Sequence, residues 1–199
     1  MTYEYENQLK SQGYSVVCGV DEAGRGPLAG PVFAAAVILP DDLGDLGIND
    51  SKKLSEKKRE ALFDVITEKA LAYCIASADE KEIDKINILN ATFLAMKRAI
   101  DGLSIKPDIA LIDGNRKPGS GIEEMTLVKG DAKSISIAAA SILAKVSRDR
   151  YLLQLDEKYP EYQFRKHKGY PTALHYEMIK EHGISPVHRL SFLKNLSEK

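Results

Sequence analysis

The chain has 199 residues, with 28 Lys and Arg against 29 Asp and Glu, so its formal net charge is −1. Hydrophobic residues make up 44% and charged residues 29%, which is typical of a globular domain and excludes disordered, collagen-like and coiled-coil chains. No apolar run approaches the ~20 residues of a membrane-spanning helix, and the N-terminal MTYEYENQLK lacks the layout of a signal peptide. We therefore expect a cytoplasmic protein with no membrane partner, in which Cys18 and Cys74 are buried reduced thiols.

The first predicted elements are two neighbouring strands. Residues 15–20 form an apolar, β-branched run that leads into Asp21 and Glu22, and residues 31–39 form a second apolar run. The glycine-rich stretch 23–30 lies between them and is the predicted connection.

Helices and strands alternate along the rest of the chain. Apolar residues at helical spacing predict helices over residues 56–69, 84–102, 133–155 and 172–182. Short apolar runs predict further strands over residues 71–78, 107–112 and 125–128. The pattern predicts an α/β fold, with a main domain over residues 1–158 and a small helical C-terminal extension over residues 159–199.

The charge is unevenly distributed. Residues 1–50 carry 2 basic and 8 acidic side chains, residues 51–128 carry 13 of each, and residues 129–199 carry 13 basic and 8 acidic ones. An acidic first part and a basic last part are compatible with a cation site that faces an anionic ligand, and equally with ordinary solvated surfaces.

Three of the predicted strands lead into acidic residues. The first leads into Asp21 and Glu22, the fourth into Asp113, and the fifth, after two intervening residues, into Asp131. Because α/β folds build their sites at the ends of strands, these four carboxylates could converge. Converging carboxylates repel each other, and a hard divalent cation such as Mg²⁺ or Mn²⁺ is the simplest positive partner.

Each acidic residue also has a simpler interpretation. Asp commonly ends a strand as a turn residue, and Asp113 followed by Gly114 fits that pattern well. Asp21 and Glu22 raise a further difficulty, because neighbouring side chains of a regular strand point to opposite faces. Both can face one site only if the strand ends or bulges there, which the following Gly24 would permit.

The segment Gly24-Arg25-Gly26 follows the first two carboxylates directly. A glycine lacks Cβ, so its backbone can approach a ligand closely, while a tight turn between strands is the alternative interpretation. The segment matches neither a P-loop nor a dinucleotide-binding fingerprint.

Several blocks together resemble the ribonuclease HII family. They are GVDEAGRGPLAGPV at 19–32, DSKKLS at 50–55, IDG at 112–114, KGD at 129–131, SIAAASILAKVSRD at 136–149, HKGYPT at 167–172 and HR at 188–189. The blocks occur in the family's order over about residues 16–192.

This resemblance implies a ribonuclease H-like fold, in which helices flank a mixed central sheet. It implies cleavage of RNA within RNA–DNA hybrids, and incision 5′ of single ribonucleotides embedded in duplex DNA. The family's catalytic and metal-binding carboxylates correspond to Asp21, Glu22, Asp113 and Asp131. Its substrate-binding residues correspond to Gly24, Arg25, Gly26 and Tyr170, of which the tyrosine reads the RNA-to-DNA junction. Without the resemblance, Tyr170 would be interpreted as a core aromatic residue.

The implied chemistry is metal-dependent hydrolysis. Two divalent ions, Mg²⁺ or Mn²⁺, about 4 Å apart would generate the attacking hydroxide and stabilise the departing 3′ oxygen. Asp21 is the expected bridge between them, and the products would carry 5′-phosphate and 3′-OH ends. This chemistry needs no imidazole, so we expect the four histidines to lie on the surface or contact phosphates.

Phosphate contacts are expected from basic residues of the family blocks, some of which could instead be solvated surface residues. The candidates are Lys52, Lys53, Lys145, Arg148, Lys166 and Lys168. Two alternatives stay open: another ribonuclease H-like metal nuclease, such as a junction resolvase, and a non-catalytic hybrid-binding module. The first does not explain Tyr170 or the Gly-Arg-Gly segment. We expect a monomer.

Overall fold

A computed structural model describes residues 2–41, 48 and 54–194. Within these ranges five strands form one mixed sheet in the order β3-β2-β1-β4-β5. The strands are β1 (Val17–Ala23), β2 (Val32–Ile38), β3 (Ala72–Ala78), β4 (Ile109–Asp113) and β5 (Glu123–Leu127). β2 is antiparallel to β1 and β3, while β1, β4 and β5 run parallel. The predicted α/β class with a mixed sheet is confirmed.

Helices cover both faces of this sheet. They are α1 (Glu4–Ser11), α2 (Glu56–Lys69), α3 (Glu80–Asp101), α4 (Ile135–Lys158), α5 (Phe164–His167) and α6 (Ala173–His182). None of the helices in the described ranges is both long and apolar enough to cross a membrane.

Small side chains let α3 and α4 approach the centre of the sheet. The even-numbered alanines of β2, Ala34 and Ala36, pack in one buried cluster with residues of α3 such as Met96. Ala35 faces the other way and packs in a second cluster with the alanine run of α4. Because both faces of β2 are covered, its sequence is a continuous apolar run rather than an alternating one.

Several element boundaries differ from the sequence prediction, those of β1 and α3 among them. β1 continues to Ala23 and so contains Asp21 and Glu22, because regular pairing with β2 extends that far. α3 begins at Glu80, four residues before the predicted start. A capping box at Asp79 satisfies the first amides of this helix. α1 was not predicted at all.

Residues after 158 pack against the end of α4. A buried cluster joins Phe164 and Met178 of this region to Leu152 of α4 and to Leu28 in the connection between β1 and β2. The boundary at residues 158/159 stays a prediction, while this packing brings the C-terminal helices beside the glycine-rich connection.

Candidate active site

Asp21 and Glu22 lie next to each other in a regularly paired part of β1, opposite Ala35 and Ala34 of β2. Asp21 is 4% exposed and interacts with Ser141 on the α4 side of the sheet. Glu22 borders a cavity against α3 and also the groove that Ser141 lines on the α4 side. The pairing of β1 with β2 is regular through both residues, so β1 has no bulge at this point. Both carboxylates lie close to the end of the strand, and the charge of Glu22 acts on Asp21.

The electrostatics of these side chains are those of crowded anions. Burial raises the pKa of Asp21 well above its usual value, and the neighbouring charges of Glu22 and Asp113 raise it further. Burial also raises the pKa of Glu22, and Asp113 adds to this effect while Arg25 opposes it. The Nη1 atom of Arg25 lies 3.4 Å from Oε1 of Glu22.

Asp113 ends β4 beside a tight turn that carries Asp131. The amide of Gly130 donates a 2.6 Å hydrogen bond to Oδ1 of Asp113. A Cβ atom at residue 130 would lie 2.5 Å from Cδ1 of Ile137 and 3.2 Å from Oδ1 of Asp113, so a larger residue there would force these side chains to shift. Asp131 is buried in the 3-10 turn Gly130–Ala132. The structure therefore places Asp131 next to the residue that binds Asp113.

The donor set fits a hard divalent cation. Among the residues that the structure describes, no three His, Cys, Asp or Glu side chains are arranged so that they could hold a metal ion as they stand. The charges of Glu22 and Asp113 nevertheless raise the pKa of Asp21, and that of Asp113 raises the pKa of Glu22, so the three carboxylates are close together. Such a cluster of oxygen ligands becomes favourable when a divalent cation replaces mutual repulsion with attraction.

Two buried arginines, Arg189 and Arg148, contact the Gly24-Arg25-Gly26 loop. Arg189 donates from Nη2 to the carbonyl of Gly24 (2.6 Å), from Nη1 to that of Arg25 (3.0 Å) and from Nε to that of Gly30 (2.8 Å). Gly24 has φ of 96°, and a Cβ there would lie 2.1 Å from Nε of Arg148. Glycine is therefore required both by the backbone conformation and by this close approach.

Arg148 does not fit the predicted phosphate contact, because its side chain is fully buried. Its guanidinium donates to the carbonyls of Lys168 (3.1 Å) and Ala29 (3.3 Å). Its Cζ atom lies 5.8 Å from the centroid of the Tyr170 ring. Arg148 thus joins the glycine-rich connection to the segment that carries Tyr170.

Tyr170 is 41% exposed, so it is not the core aromatic residue that the sequence alone would suggest. It borders a groove of about 380 Å³ that Glu22, Gly24 and Lys145 also line. Arg59, at the start of α2, is a further cation on this groove that the sequence prediction missed. A second cavity of about 300 Å³ lies beyond Glu22 and is bordered by Arg25 and Arg116.

The other predicted basic residues have different surroundings. Lys145 is half-buried and forms a 2.7 Å ion pair with Asp149 one turn later in α4. Lys166 is exposed and donates to Gln163, while Lys168 is half-buried. Lys52 and Lys53 lie outside the described residues.

The prediction for the histidines is wrong for three of the four. His167, His175 and His188 are buried among the rings of Tyr162 and Phe164 rather than exposed. This region is packed like a core, so imidazoles fill space there and hydrogen-bond to each other and to the backbone. Sequence reasoning also missed Arg189, although it follows His188 in the last family block.

Comparison with known proteins identifies the family. Residues 18–195 match the family model described as ribonuclease HII. Ribonuclease HII of Caldicellulosiruptor bescii is 56% identical over 98% of this chain and 94% of its own length. Ribonuclease HII of Acetivibrio thermocellus is 59% identical over 96% of this chain and 75% of its own length. The ribonuclease H2 structure from Pyrococcus horikoshii OT3 has a TM-score of 0.75 at 31% identity, covering 88% of this chain and 93% of that one.

These similarities decide against the two alternatives that the sequence left open, a junction resolvase and a non-catalytic binding module. They also confirm the ribonuclease H-like fold. The chain belongs to the ribonuclease HII family, and it is a metal-dependent ribonuclease H that acts on RNA–DNA hybrids.

Proposed function

We propose that this enzyme cuts the RNA strand of hybrids and also incises duplex DNA 5′ of a single embedded ribonucleotide, leaving 5′-phosphate and 3′-OH ends. The observation that carries the proposal is one groove lined by Glu22, by Gly24 of the Gly-Arg-Gly loop and by the exposed ring of Tyr170. In this proposal, a cleavage site and a flat surface for a neighbouring sugar lie side by side in the groove.

Asp21, Glu22, Asp113 and Asp131 would hold two divalent ions, Mg²⁺ or Mn²⁺. When bound, such ions supply activation of a water molecule and charge stabilisation of the leaving 3′ oxygen. The carboxylates position that chemistry at the strand ends, where the backbone is rigid. Asp113 is fixed by the Gly130 amide, and Asp21 by the 2.7 Å bond that Oδ1 accepts from the Glu22 amide.

RNA differs from DNA by the 2′-OH, so that group must be recognised. The carbonyls of Gly24 and Arg25 already accept hydrogen bonds from Arg189. We therefore assign the contact with the 2′-OH to the amide groups of residues 24–26. Tyr170 would pack its ring against the deoxyribose that follows the ribonucleotide, while Lys145 and Arg59 would contact backbone phosphates along the groove.

The deciding experiment is a cleavage assay on duplex DNA that contains one ribonucleotide, in Mg²⁺ and separately in Mn²⁺, with a uniform RNA–DNA hybrid as the positive control. We expect incision on the 5′ side of the ribonucleotide. Cleavage of the hybrid without any cut in the single-ribonucleotide duplex, in either ion, would refute the proposed specificity.

The carboxylate assignment is tested with Asp113→Asn. Because the amide keeps the shape of the side chain but removes the anionic ligand, we expect loss of cleavage with hybrid binding retained. Asp101→Asn, at the exposed end of α3, is the matched control and should leave the rate unchanged. A fully active Asp113→Asn variant would remove Asp113 from the metal site.

The role of Tyr170 is tested with Tyr170→Ala. We expect a larger loss of kcat/KM on the single-ribonucleotide duplex than on a long hybrid, because only the first substrate depends on the junction. Equal losses on both substrates would exclude junction reading. The expected monomeric state stays a prediction that light scattering can check.

A further inference from the structure

Three buried imidazoles lie directly behind the segment that presents Tyr170. His167 and His175 are stacked with ring centroids 4.2 Å apart, and the ring of His188 lies 5.2 Å from that of His175. All three are at least 94% buried. The proposed hydrolysis uses none of them, so they need another explanation.

Backbone amides determine which nitrogen of His188 carries the proton. The amide of Ser185 can only donate, and it lies 3.0 Å from Nδ1 of His188. The Ser185 hydroxyl, whose Oγ lies 2.7 Å from the same nitrogen, can donate to it as well. Nδ1 therefore accepts, and in a neutral ring the proton is then on Nε2. That nitrogen lies 3.1 Å from Nε2 of His175. His188 thus donates to His175.

The direction of the next bond follows in the same way. Because Nε2 of His175 accepts, its proton is on Nδ1, which lies 3.0 Å from the carbonyl oxygen of Tyr170. A directed chain of hydrogen bonds thus runs from the Ser185 amide through His188 and His175 to the Tyr170 backbone. His167 is fixed independently, since its Nδ1 accepts from the Gly169 amide (3.2 Å) and its Nε2 donates to the carbonyl of Tyr162 (2.8 Å).

This chain requires neutral rings. A second proton between His175 and His188 would place two N–H groups against each other. The pKa of both His175 and His188 is lowered to about 4, chiefly by burial and, for His188, also by the adjacent imidazole of His175. At neutral pH the rings therefore act as fixed hydrogen-bonding groups and not as proton carriers.

The backbone that leads to Tyr170 needs such support. Lys168 has φ of 50° and Gly169 has φ of 80°, so two consecutive residues adopt left-handed conformations. Because Lys168 has a side chain, the left-handed conformation is sterically unfavourable for it. Such a conformation persists only when the surrounding structure fixes the backbone. The carbonyl of Tyr170 accepts both from Nδ1 of His175 and from the Thr172 amide (2.8 Å).

We propose that His175 and His188 are positioning residues for substrate recognition, which fix the Tyr170 backbone and thereby the place of its ring over the groove. The inference rests on the proposed function in so far as Tyr170 reads the RNA-to-DNA junction. It assigns to the C-terminal region a role in specificity that is separate from the metal chemistry.

The test compares two substitutions of one residue. His175→Phe keeps the volume of the ring but removes the donor to Tyr170, whereas His175→Asn keeps an amide donor near the place of Nδ1. For His175→Phe we expect kcat/KM on the single-ribonucleotide duplex to fall roughly 2- to 10-fold relative to a long hybrid, as for the loss of one buried hydrogen bond. His175→Asn should recover part of this ratio. An unchanged ratio in a folded His175→Phe variant would overturn the inference.

A double variant separates positioning from general loosening. If His175 acts through Tyr170, His175→Phe should not lower the substrate ratio further in a Tyr170→Ala background. Additive losses would overturn the inference and leave the role of Tyr170 intact. Equal activity losses on both substrates in Tyr170→Ala alone would overturn junction reading, and the inference with it.

A second pair of variants covers the case in which His175→Phe does not fold. His188→Gln keeps an amide donor near the place of Nε2, whereas His188→Met removes that donor. Residue 188 acts on Tyr170 through His175. We expect His188→Met to lower the substrate ratio and His188→Gln to keep it closer to that of the unmodified enzyme. Equal ratios in the two variants would overturn the inference.

Discussion

Asp21 occupies a position that is unfavourable for a carboxylate in the absence of a cation. It is buried at the centre of the sheet, and the charges of Glu22 and Asp113 act on it in addition to the loss of solvation. Two groups offset part of this cost, namely the Glu22 amide and Ser141. The proposed metal ligand Asp21 thus lies in a destabilising position, which is a common compromise between stability and activity.

We therefore expect Asp21→Asn to stabilise the metal-free enzyme while it abolishes cleavage. The free energy of unfolding should rise by about 1–2 kcal/mol at neutral pH, because the amide removes one buried like charge. The corresponding rise in Tm is about 3–6 °C for a chain of this size. Because the folded-state pKa of Asp21 is raised, the gain should shrink as the pH falls through that raised pKa, since the native side chain takes up a proton there while the unfolded one is still ionised.

Thermal unfolding in EDTA, at pH 7 and at pH 5, measures this effect. Asp101→Asn on the exposed end of α3 is the control, since it removes one negative charge without relieving any crowding. A lower Tm for Asp21→Asn would show that the hydrogen bonds of the carboxylate outweigh the repulsion around it.

Parts of the site could be predicted from residue patterns, and others could not. Asp113 follows a short apolar run, so a local pattern located it near a strand end, where β4 does end. The pattern placed the end of β1 before Asp21, because an acidic residue usually marks the end of a buried run. The true end depends on pairing with β2, which is a long-range property. Arg189 escaped prediction for the same reason, since its partners are about 160 residues away.

At the scale of elements, the long helices were the easiest to predict. α2 has the predicted bounds because Ser55 caps it and its apolar residues repeat at helical spacing. The four extra residues at the start of α3 depend on the reciprocal bonds between Asp79 and Glu82, a pattern that is visible in the sequence. α5 has only four residues, and its packing against α4 stabilises it more than its own sequence does.

The guanidinium of Arg189 makes most of the arginine hydrogen bonds to the connection between β1 and β2. Arg189 donates to three carbonyls of this connection, and its side chain is fully buried. Burial, followed by the charge of Arg148, lowers the pKa of Arg189 to about 9. The planar guanidinium points several N–H donors at these carbonyls, and the hydrogen bonds offset the cost of burying its charge. A lysine ammonium cannot present its donors in this arrangement.

We expect Arg189→Lys to lower the free energy of unfolding by about 2–4 kcal/mol, because it leaves buried carbonyls without donors. KM for both substrates should rise, since the Gly-Arg-Gly loop loses its support. Urea unfolding and steady-state kinetics measure these changes, and Arg165→Lys, whose side chain is 63% exposed, is the matched control. An unchanged free energy of unfolding would show that the guanidinium does not hold the loop.

For the whole molecule, net charge was a poor guide to the ligand. The value of −1 averages an acidic first part, which includes Asp21 and Glu22, and a basic last part. The acidic pair faces the proposed cations rather than the phosphates, so metal binding makes the groove more positive than the formula suggests. Near-neutrality therefore limits only the long-range attraction to nucleic acid, and not the contacts in the groove.

The buried histidines make the stability of the whole molecule sensitive to acid. The folded-state pKa of His175 and of His188 is about 4, below the usual value of 6.5, so the unfolded chain binds more protons between these pH values. The free energy of unfolding should therefore fall as the pH drops from about 6.5 to 4, by on the order of 3–5 kcal/mol for the pair. Chemical unfolding at pH 7, 6, 5 and 4.5 would measure this slope. A His175→Phe/His188→Met double variant should flatten the slope, and an unchanged slope in that variant would assign the acid sensitivity to other groups.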